Sequence, residues 1–467
     1  MMVRPYASKT LDLSSNNLPM NKKPVFNDYL WILFLSLPWV GIQCLWSTEL
    51  AALDTTMGNL GLDPTWAKLS WVWGPITGFF TAPIVGVYSD ACVSKYGRRR
   101  PYMLGGLLAF TISSIIFAFA GQYGRFSLPI GFVSYIMVNI TINVIQTPTR
   151  SYTSDMVPPE MQNTAQLMAV ACQGLGGIIG SQLQANFYKN SLDTLPHLIL
   201  PALSLNLFFI PLVCYIGTEI PNTDLESNSS QPVDLFSPFK KVFNGLKNID
   251  FKLSVIFITQ FFSWGALFSF WPHATNWVIH DVYHGCILGT PNCSIGSEGY
   301  ELGLLGNVTA ANATTVQQFT QIIFGITFSY ILFHNILKNV RYVYSVGLAI
   351  GSISMILTNF ISDKTYAFLF ISIMGIMLAV VNSFPFAIVG RYSSNDGKHS
   401  TGLLFGMMNM VLTLAQFFIQ FVVIAVPNLT LSLLIAGILA GISSISACYI
   451  VEFSEVDSNL KLRKIRA

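Results

Sequence analysis

Residues 89–101 read SDACVSKYGRRRP and decide the fold, because they place a strongly basic segment between two long apolar stretches. Lys95 is followed within a few residues by Arg98, Arg99 and Arg100. Short loops that are rich in Lys and Arg stay on the cytoplasmic side of a membrane protein. We therefore predict that this segment is a cytoplasmic loop between two membrane-spanning helices.

The composition of the chain independently indicates a membrane protein. Hydrophobic residues make up 52% of the 467 residues and charged residues only 10%, whereas soluble domains carry about 25% charged residues. Runs of about 20 apolar residues, each long enough to cross a bilayer as a helix, recur along the chain. They predict an all-α membrane protein with twelve spans, near residues 29–51, 67–89, 102–121, 128–157, 162–187, 196–217, 253–279, 316–337, 342–361, 366–390, 401–425 and 429–451.

The positive charges predict the orientation of these spans. When the N-terminus is placed in the cytoplasm, the only Lys and Arg residues among the 25 that fall on the outer side are Lys68, Arg125, Lys189 and Lys364. Both termini are therefore expected to be cytoplasmic. The net charge of +3 then reflects topology and contacts with lipid headgroups, so the expected partner is the lipid bilayer and not nucleic acid.

A polar segment divides the predicted spans into two sets of six. Residues 218–252 are rich in Ser, Asn, Pro and Lys, which is typical of a flexible cytoplasmic linker. The predicted halves are residues 29–217 and 253–451, with cytoplasmic tails at 1–28 and 452–467. Two six-helix halves are typical of transporters that are built from repeats.

The long predicted loop at 284–315 has features of an extracellular segment. It contains three glycosylation sequons, which begin at Asn292, Asn307 and Asn312. Clustered sequons imply a eukaryotic protein of the secretory pathway. Cys286 and Cys293 lie in the same loop and form either a local disulfide or two unpaired thiols. No cysteine–histidine cluster in the sequence has the spacing of metal ligands, so no metal site is predicted.

Four groups of residues carry a family resemblance. They are Gly86 to Asp90 with Gly97-Arg98-Arg99, Pro148-Thr149-Arg150 with Asp155, WGALF at 264–268 with TNW at 275–277, and Gly406 to Asn409 with Gln416. In this order they resemble the plant sucrose/proton symporters and their animal and fungal relatives, which form the glycoside–pentoside–hexuronide branch of the major facilitator superfamily. The match is collinear over roughly residues 29–451.

The resemblance implies secondary active transport and leaves the sugar open. Asn276 replaces an aspartate that is usual in the family, and Glu49 stands where plant members tend to have glutamine. The implied function is proton-coupled symport of sucrose or a related disaccharide or glycoside by alternating access. The alternatives are a monosaccharide transporter of the same family and a sugar sensor that does not transport.

The same resemblance sets expectations for partners and location. The proton is the coupling ion, no other cofactor is expected, and the chain is expected to be a monomer. Independently of the resemblance, the sequence contains no nucleophile–base set or metal cluster, so it is not expected to be an enzyme. The expected location is the eukaryotic plasma membrane, with the vacuole or another endomembrane as the alternative.

Ionisable residues inside membrane spans are candidates for proton coupling, because burying them in a bilayer is expensive. Asp155, five residues after Arg150 in the fourth span, is predicted to carry the proton, and Glu49 in the first span is the second candidate. Five residues turn about 140° on a helix, so a direct pair requires the arginine to wrap round. The alternative is that Asp155 caps the helix and Arg150 anchors its inner end.

Neutral amides and aromatic rings are candidates for sugar binding. An amide offers donors and acceptors together, which suits hydroxyl groups, while an aromatic ring packs against the apolar face of a sugar. The candidate residues are Gln43, Trp46, Trp264, Phe268, Asn276, Asn409 and Gln416. The alternative is that the amides bind neighbouring helices and that the tryptophans belong to interfacial belts.

The basic loop is also predicted to act as a latch. Asp90 is expected to accept hydrogen bonds at the N-terminal end of a helix of its own half, while Arg98 reaches carboxylates or helix C-termini. Gly86, Gly97 and Arg99 complete this gating motif. Such contacts exist only while the inner gate is shut, so they favour the outward-facing state. The alternative is simple anchoring by positive charge.

Overall fold

The computed structural model describes residues 26–187, 192–217, 219, 237–247, 249–286, 293–294, 296–334, 336–337, 339–396, 400–426 and 428–450. Within these ranges the chain is helical and has no β-strand. The all-α fold class predicted from the apolar runs is confirmed.

The first part of the chain forms eight helices. They are α1 (Phe26–Ser36), α2 (Pro38–Asn59), α3 (Pro64–Leu69), α4 (Trp73–Asp90), α5 (Arg100–Ala118), α6 (Ser127–Asp155), α7 (Gln162–Phe187) and α8 (Pro196–Ile216). The break between α1 and α2 is the single residue Leu37, which precedes Pro38. Leu37 keeps helical backbone angles, with φ −55° and ψ −36°. Proline lacks the N–H that would continue the helix ladder, so the ladder is interrupted here and the first predicted span consists of two helices.

The second part of the chain forms seven helices. They are α9 (Ser237–Lys247), α10 (Phe251–Trp277), α11 (Glu298–Phe333), α12 (Val340–Leu357), α13 (Lys364–Asp396), α14 (Thr401–Ala425) and α15 (Leu429–Cys448). The prediction of a flexible linker over residues 218–252 is wrong for α9. This segment is helical because its apolar residues recur with helical spacing and pack on α4 and α14.

In the described part of the chain, ten segments are long and apolar enough to cross a membrane. The remaining two predicted spans, the second and the fifth, correspond to α4 and α7. The helix α7 is polar because most of its residues between Gln162 and Gly180 are buried against protein. For example, Gly176 packs on Val40 of α2, and Gly177 packs on Gln318 of α11. Small residues allow backbones to approach closely inside a membrane protein.

The predicted loop at 284–315 is wrong from residue 298 onward. The helix α11 begins at Glu298, where Ser297 caps it by accepting a hydrogen bond from the backbone N–H of Tyr300 at 3.3 Å. Its 36 residues make it about 54 Å long, which exceeds the bilayer core of about 30 Å. The first turns of α11 therefore project beyond the membrane. Their polar Asn and Thr residues are typical of a loop, so the sequence-based boundary of the helix was placed too late.

The predicted glycosylation sites fall in or before this projecting part of α11. Asn307 and Asn312 are exposed on the helix, whereas Asn292 lies outside the described residues. Glycosylation at the three sequons stays a prediction. Cys286 and Cys293 form a disulfide beside the start of α11.

Two hydrophobic clusters form the core. The first takes its buried residues from positions 32–214, for example Leu35 and Phe110. The second takes them from positions 242–450, for example Met377 and Phe384, and adds Val87 and Leu167. We call the helices α1–α8 and α10–α15 the first and second halves; the predicted residue bounds of the two halves stay a prediction.

Candidate functional site

A cavity lies where α2, α4, α6 and α7 of the first half face α10, α13 and α14 of the second half. Most of the residues predicted to bind sugar or protons line it. These are Gln43, Trp46, Glu49, Arg150, Trp264, Phe268, Asn409 and Gln416. Two other predicted residues, Asp155 and Asn276, are not among its lining residues. The helices therefore bring together eight of the ten predicted side chains.

A polar stripe on α6 forms one wall of the cavity. Asn139, Asn143, Gln146 and Arg150 all line it, and their spacing of four, three and four residues places them on one face of the helix. Of these four, only Arg150 was predicted from the sequence. The signal that could have found the others is this helical spacing of large polar side chains within an apolar span.

Glu49 lies at one end of this stripe. The side-chain amide of Asn139 donates to Glu49 Oε1 at 2.6 Å. The other carboxylate oxygen, Oε2, is buried, and the described residues give it no hydrogen-bond partner. A buried carboxylate that lacks part of its hydrogen bonding is costly when charged.

Arg150 lies at the other end of the stripe. Its guanidinium carbon is 4.4 Å from the ring centroid of Trp39 in α2 and 3.5 Å from that of Phe386 in α13. Its Nη1 also donates to the carbonyl oxygen of Asn382 at 3.3 Å. No carboxylate of the described residues lies within 4.0 Å of it. Arg150 therefore joins the two halves through cation–π contacts and forms no ion pair with Asp155, whose partners are Arg98 and Arg99.

The two charged ends of the cavity are well separated. Glu49 contacts Asn139. Asn139 and Arg150 are 11 positions apart on α6, which corresponds to a rise of about 16 Å along the helix. Between them, the indole N–H of Trp46 donates to Gln146 Oε1 at 2.9 Å. The intervening space is lined by amides that can exchange hydrogen bonds with hydroxyl groups.

Aromatic rings form the opposite wall. Trp264, Phe268 and Trp271 are spaced by four and three residues on α10, and the ring centroids of Phe268 and Trp271 are 5.5 Å apart. The indole Nε1 of Trp264 is buried without a hydrogen-bond partner among the described residues. Trp264 therefore offers both a ring face and a hydrogen-bond donor to a ligand in the cavity. A position in an interfacial belt, the alternative for this residue, does not explain why its indole N–H is buried.

Asn409 supports the alternative that amides bind neighbouring helices, because its Nδ2 donates to the carbonyl oxygen of Gly78 in α4 at 3.2 Å. Gln43 Nε2 donates within its own helix, to Ser47 Oγ of α2 at 3.4 Å. Each of these residues also lines the cavity. Both roles are compatible, because the carbonyl oxygens of these side chains remain acceptors.

Asp155 belongs to a charge cluster at the end of α6 that lies beside loop 91–99. We call this side of the molecule the inner side. Arg99 is fully buried there and donates from Nε to Asp155 Oδ2 at 2.9 Å, from Nη1 to Ser89 Oγ at 2.6 Å, and from Nη2 to Asp90. Arg98 Nη2 lies 2.8 Å from Asp155 Oδ2 and is 28% exposed. The proton carrier predicted from the sequence is thus already paired with two arginines.

Glu219, which follows α8, completes the cluster and was missed in the sequence. Its carboxylate accepts hydrogen bonds from the backbone N–H groups of Arg99 at 3.0 Å and Arg100 at 3.4 Å, and so caps the start of α5. Burial raises the pKa of Glu219, and these backbone hydrogen bonds oppose that rise. Gly97 is required here, because its φ of +102° favours glycine and a Cβ atom would collide with Glu219.

Asp90 joins α4 to α14 across the two halves. It accepts hydrogen bonds from Ser400 Oγ at 2.6 Å, from the backbone N–H of Gly402 at 3.2 Å and from that of Leu403 at 2.9 Å. The expectation that Asp90 caps a helix of its own half is therefore wrong. Gly86 and Gly402 allow this contact, because a Cβ on Gly86 would overlap the carbonyl of Gly402. The inner ends of α4 and α14 are held closed.

The sequence of this chain matches a known family of membrane proteins. The family model described as Major Facilitator Superfamily matches residues 30–420. The chain belongs to the major facilitator superfamily. This membership places the protein among membrane transporters rather than enzymes, and the predicted multi-pass membrane location is confirmed.

Relatives of this facilitator include plant sucrose transport proteins, which confirms the resemblance noted in the sequence. Sucrose transport protein SUT5 of Oryza sativa subsp. indica is 24% identical over 430 residues, which cover 80% of this chain and 78% of the relative. Sucrose transport protein SUC4 of Arabidopsis thaliana is 24% identical over 425 residues, 80% of each chain.

Solved structures of facilitators share the fold. The transporter FucP in the outward conformation matches with a TM-score of 0.62 and 15% identity over 91% of this chain and 100% of that one. The proton:xylose symporter XylE, bound to 6-bromo-6-deoxy-D-glucose, matches with a TM-score of 0.59 and 12% identity over 91% of this chain and 96% of that one. These similarities confirm the major facilitator fold.

We expect Asp90→Ala to weaken the inner gate of this facilitator. The substitution removes three hydrogen bonds to α14 and one partner of Arg99, so the inner side opens more often and transport slows at normal surface expression. The matched control is Asp363→Ala, because Asp363 Oδ1 caps α13 within its own half by accepting from Thr365 N at 2.9 Å. The control should lose about 1 kcal/mol of stability and keep its uptake kinetics. Unchanged uptake in Asp90→Ala would leave only the anchoring role.

Proposed function

We propose that this protein is a proton-coupled sugar transporter, with sucrose or a related disaccharide or glycoside as its substrate. The observation that carries the proposal is the cavity between the halves. It combines amides for hydroxyl groups, rings for the apolar faces of a sugar, and one carboxylate and one arginine at opposite ends. Substrate sites of such transporters lie between the two halves.

The comparisons support a sugar substrate. The relatives named above are sucrose transport proteins, and one structural neighbour is a proton:xylose symporter. Within the cavity, the rise of about 16 Å between the levels of Asn139 and Arg150 suits two linked sugar rings better than one. We therefore favour a disaccharide or glycoside over a monosaccharide.

We assign proton coupling to Glu49 in place of Asp155. Glu49 lines the cavity and has one oxygen without a partner among the described residues, whereas Asp155 pairs with Arg98 and Arg99 on the inner side. A proton on Glu49 neutralises a costly charge before the cavity changes its exposure. Because sugar binding depends on this proton, the transport of sugar is coupled to the transport of protons.

Arg150 is assigned to closure around the substrate. Its guanidinium touches Trp39 of the first half and Phe386 of the second half, and its remaining donors point to no carboxylate of the described residues within 4.0 Å. A sugar oxygen can accept from those donors in a planar arrangement that lysine does not offer. Plasma-membrane location, cytoplasmic termini and a monomeric state remain predictions.

The test is uptake of a panel of labelled sugars in transport-deficient cells at an acidic and a neutral external pH. The panel holds sucrose, maltose, trehalose, glucose, fructose and xylose. We expect accumulation of a disaccharide that increases at acidic pH and stops when a protonophore is added. Uptake of monosaccharides alone would contradict the proposed substrate class. Uptake that is the same at both pH values would contradict proton coupling. Sugar binding without uptake would identify a sensor.

A further inference from the structure

The helix α9 has three faces of different chemistry. At 100° per residue, Pro238, Val242 and Gly245 share one face, and all three are buried against protein. The adjacent face is apolar: Phe239 and Leu246 are half-buried, and Phe243 is 70% exposed. The third face carries the exposed side chains Lys240, Lys241, Asn244 and Lys247. A helix with a protein face, an apolar face and a basic face suits the boundary between lipid and water.

The helix α9 packs on one helix from each half. The ring of Phe239 lies 5.9 Å from that of Phe80 in α4. At the other end of α9, a Cβ atom on Gly245 would lie 3.0 Å from the sulfur of Met407 in α14. The helix therefore straddles α4 and α14, the two helices that Asp90 connects.

The depth of α9 matches the membrane interface. Met407 is six residues after Thr401, the first residue of α14, so it lies about 9 Å from the inner end of that helix. Interfacial helices place their apolar face about 5–10 Å into the boundary between headgroups and acyl chains. At this level, lysine side chains extend to the headgroups while their stems stay in apolar surroundings.

We propose that α9 is an interfacial helix that binds anionic phospholipids of the inner leaflet. Lys240, Lys241 and Lys247 contact the headgroups, and Phe243 enters the acyl region. Positive charge near the cytoplasmic leaflet attracts anionic lipid, and the aromatic side chain favours a bilayer over a soluble anion or an acidic peptide. This inference does not depend on which sugar the protein carries.

Lipid binding at α9 stabilises the closed inner gate. Opening towards the cytoplasm separates the inner ends of α4 and α14. Because α9 packs on both helices, this movement breaks its contact with one of them. A ligand that binds α9 better when it packs on both helices than when it packs on only one shifts the population towards the closed state. Anionic lipid therefore acts on the same equilibrium as the contact between Asp90 and α14.

The binding test uses purified full-length protein and native mass spectrometry with added phosphatidylserine or phosphatidylcholine. Three lysines at about 1 kcal/mol each predict that Lys240→Gln/Lys241→Gln/Lys247→Gln lowers phosphatidylserine affinity about 100-fold at low salt. Phe243→Ser, which keeps every charge, should also lower it. The control Arg125→Gln/Lys364→Gln removes two charges on the opposite side of the membrane and should change nothing.

Several results overturn the proposal. One is unchanged phosphatidylserine affinity in the triple variant, and another is equal binding of phosphatidylcholine. Full competition by soluble glycerophosphoserine shows recognition of a headgroup without a bilayer, and equal binding of poly-glutamate shows a site for acidic peptides.

The gate is tested by hydrogen exchange at the amides of Gly402 and Leu403, which donate to Asp90. In phosphatidylcholine nanodiscs that contain phosphatidylserine, these amides should exchange several-fold more slowly than in phosphatidylcholine alone. The triple variant should show no such difference. If these amides of the unchanged protein exchange at the same rate with and without phosphatidylserine, lipid binding does not stabilise the closed gate.

Discussion

Replacing Glu49 with Gln is expected to abolish proton-driven sugar accumulation while sugar exchange continues. Glutamine has the shape of a protonated glutamate and keeps an acceptor for the amide of Asn139, which donates to Glu49 Oε1 at 2.6 Å. The variant therefore resembles the loaded carrier permanently and has no proton to release. Internal sugar should rise only to the external concentration, and the sugar-induced proton current should disappear.

The measurements are sugar-induced current and exchange of labelled for unlabelled sugar in proteoliposomes. Glu298→Gln is the matched control, because Glu298 is an exposed carboxylate at the start of α11 and lies away from the cavity. It should retain the current of the unchanged protein. A full current with unaltered pH dependence in Glu49→Gln would falsify the assignment and return Asp155 to consideration.

The sequence predicted much of the cavity because polar residues inside apolar spans are few. Gln43, Trp46 and Glu49 were found on this ground, and all three line the cavity. In α6 the predicted residues were the ionisable ones, so the neutral amides Asn143 and Gln146 on the same helical face were missed. Asn139 was also missed, although its side-chain amide donates to Glu49.

Contacts between distant segments could not be read from local patterns. Asp155 is close to Arg150 in sequence, yet its partners are Arg98 and Arg99, which lie in the loop more than 50 positions earlier. The same holds for Glu219, which reads as the start of a linker but caps α5. A helical sequence shows which side chains share a face, whereas the partner across the interface depends on packing.

The inner charge cluster offers a comparison of two neighbouring arginines. Arg98 and Arg99 contact the same oxygen of Asp155, at 2.8 Å and 2.9 Å. They differ in burial: the side chain of Arg99 is 0% exposed and also contacts Asp90, while that of Arg98 is 28% exposed. Burial therefore decides which of the two contributes more to stability.

We expect Arg99→Gln to destabilise the folded protein by about 3–5 kcal/mol, because it leaves the carboxylates of Asp90 and Asp155 in a buried site without their main cation. Arg98→Gln should cost less than about 1 kcal/mol, since solvent screens its ion pair and Arg99 still binds Asp155. Adding Asp155→Asn to Arg99→Gln should recover part of the loss, because it removes one of the two carboxylates that Arg99 neutralises. Thermal unfolding of the purified protein in detergent measures all three changes. Equal losses for Arg98→Gln and Arg99→Gln would contradict the role of burial, and the absence of recovery would show that the contact between Arg99 and Asp90 accounts for the stability.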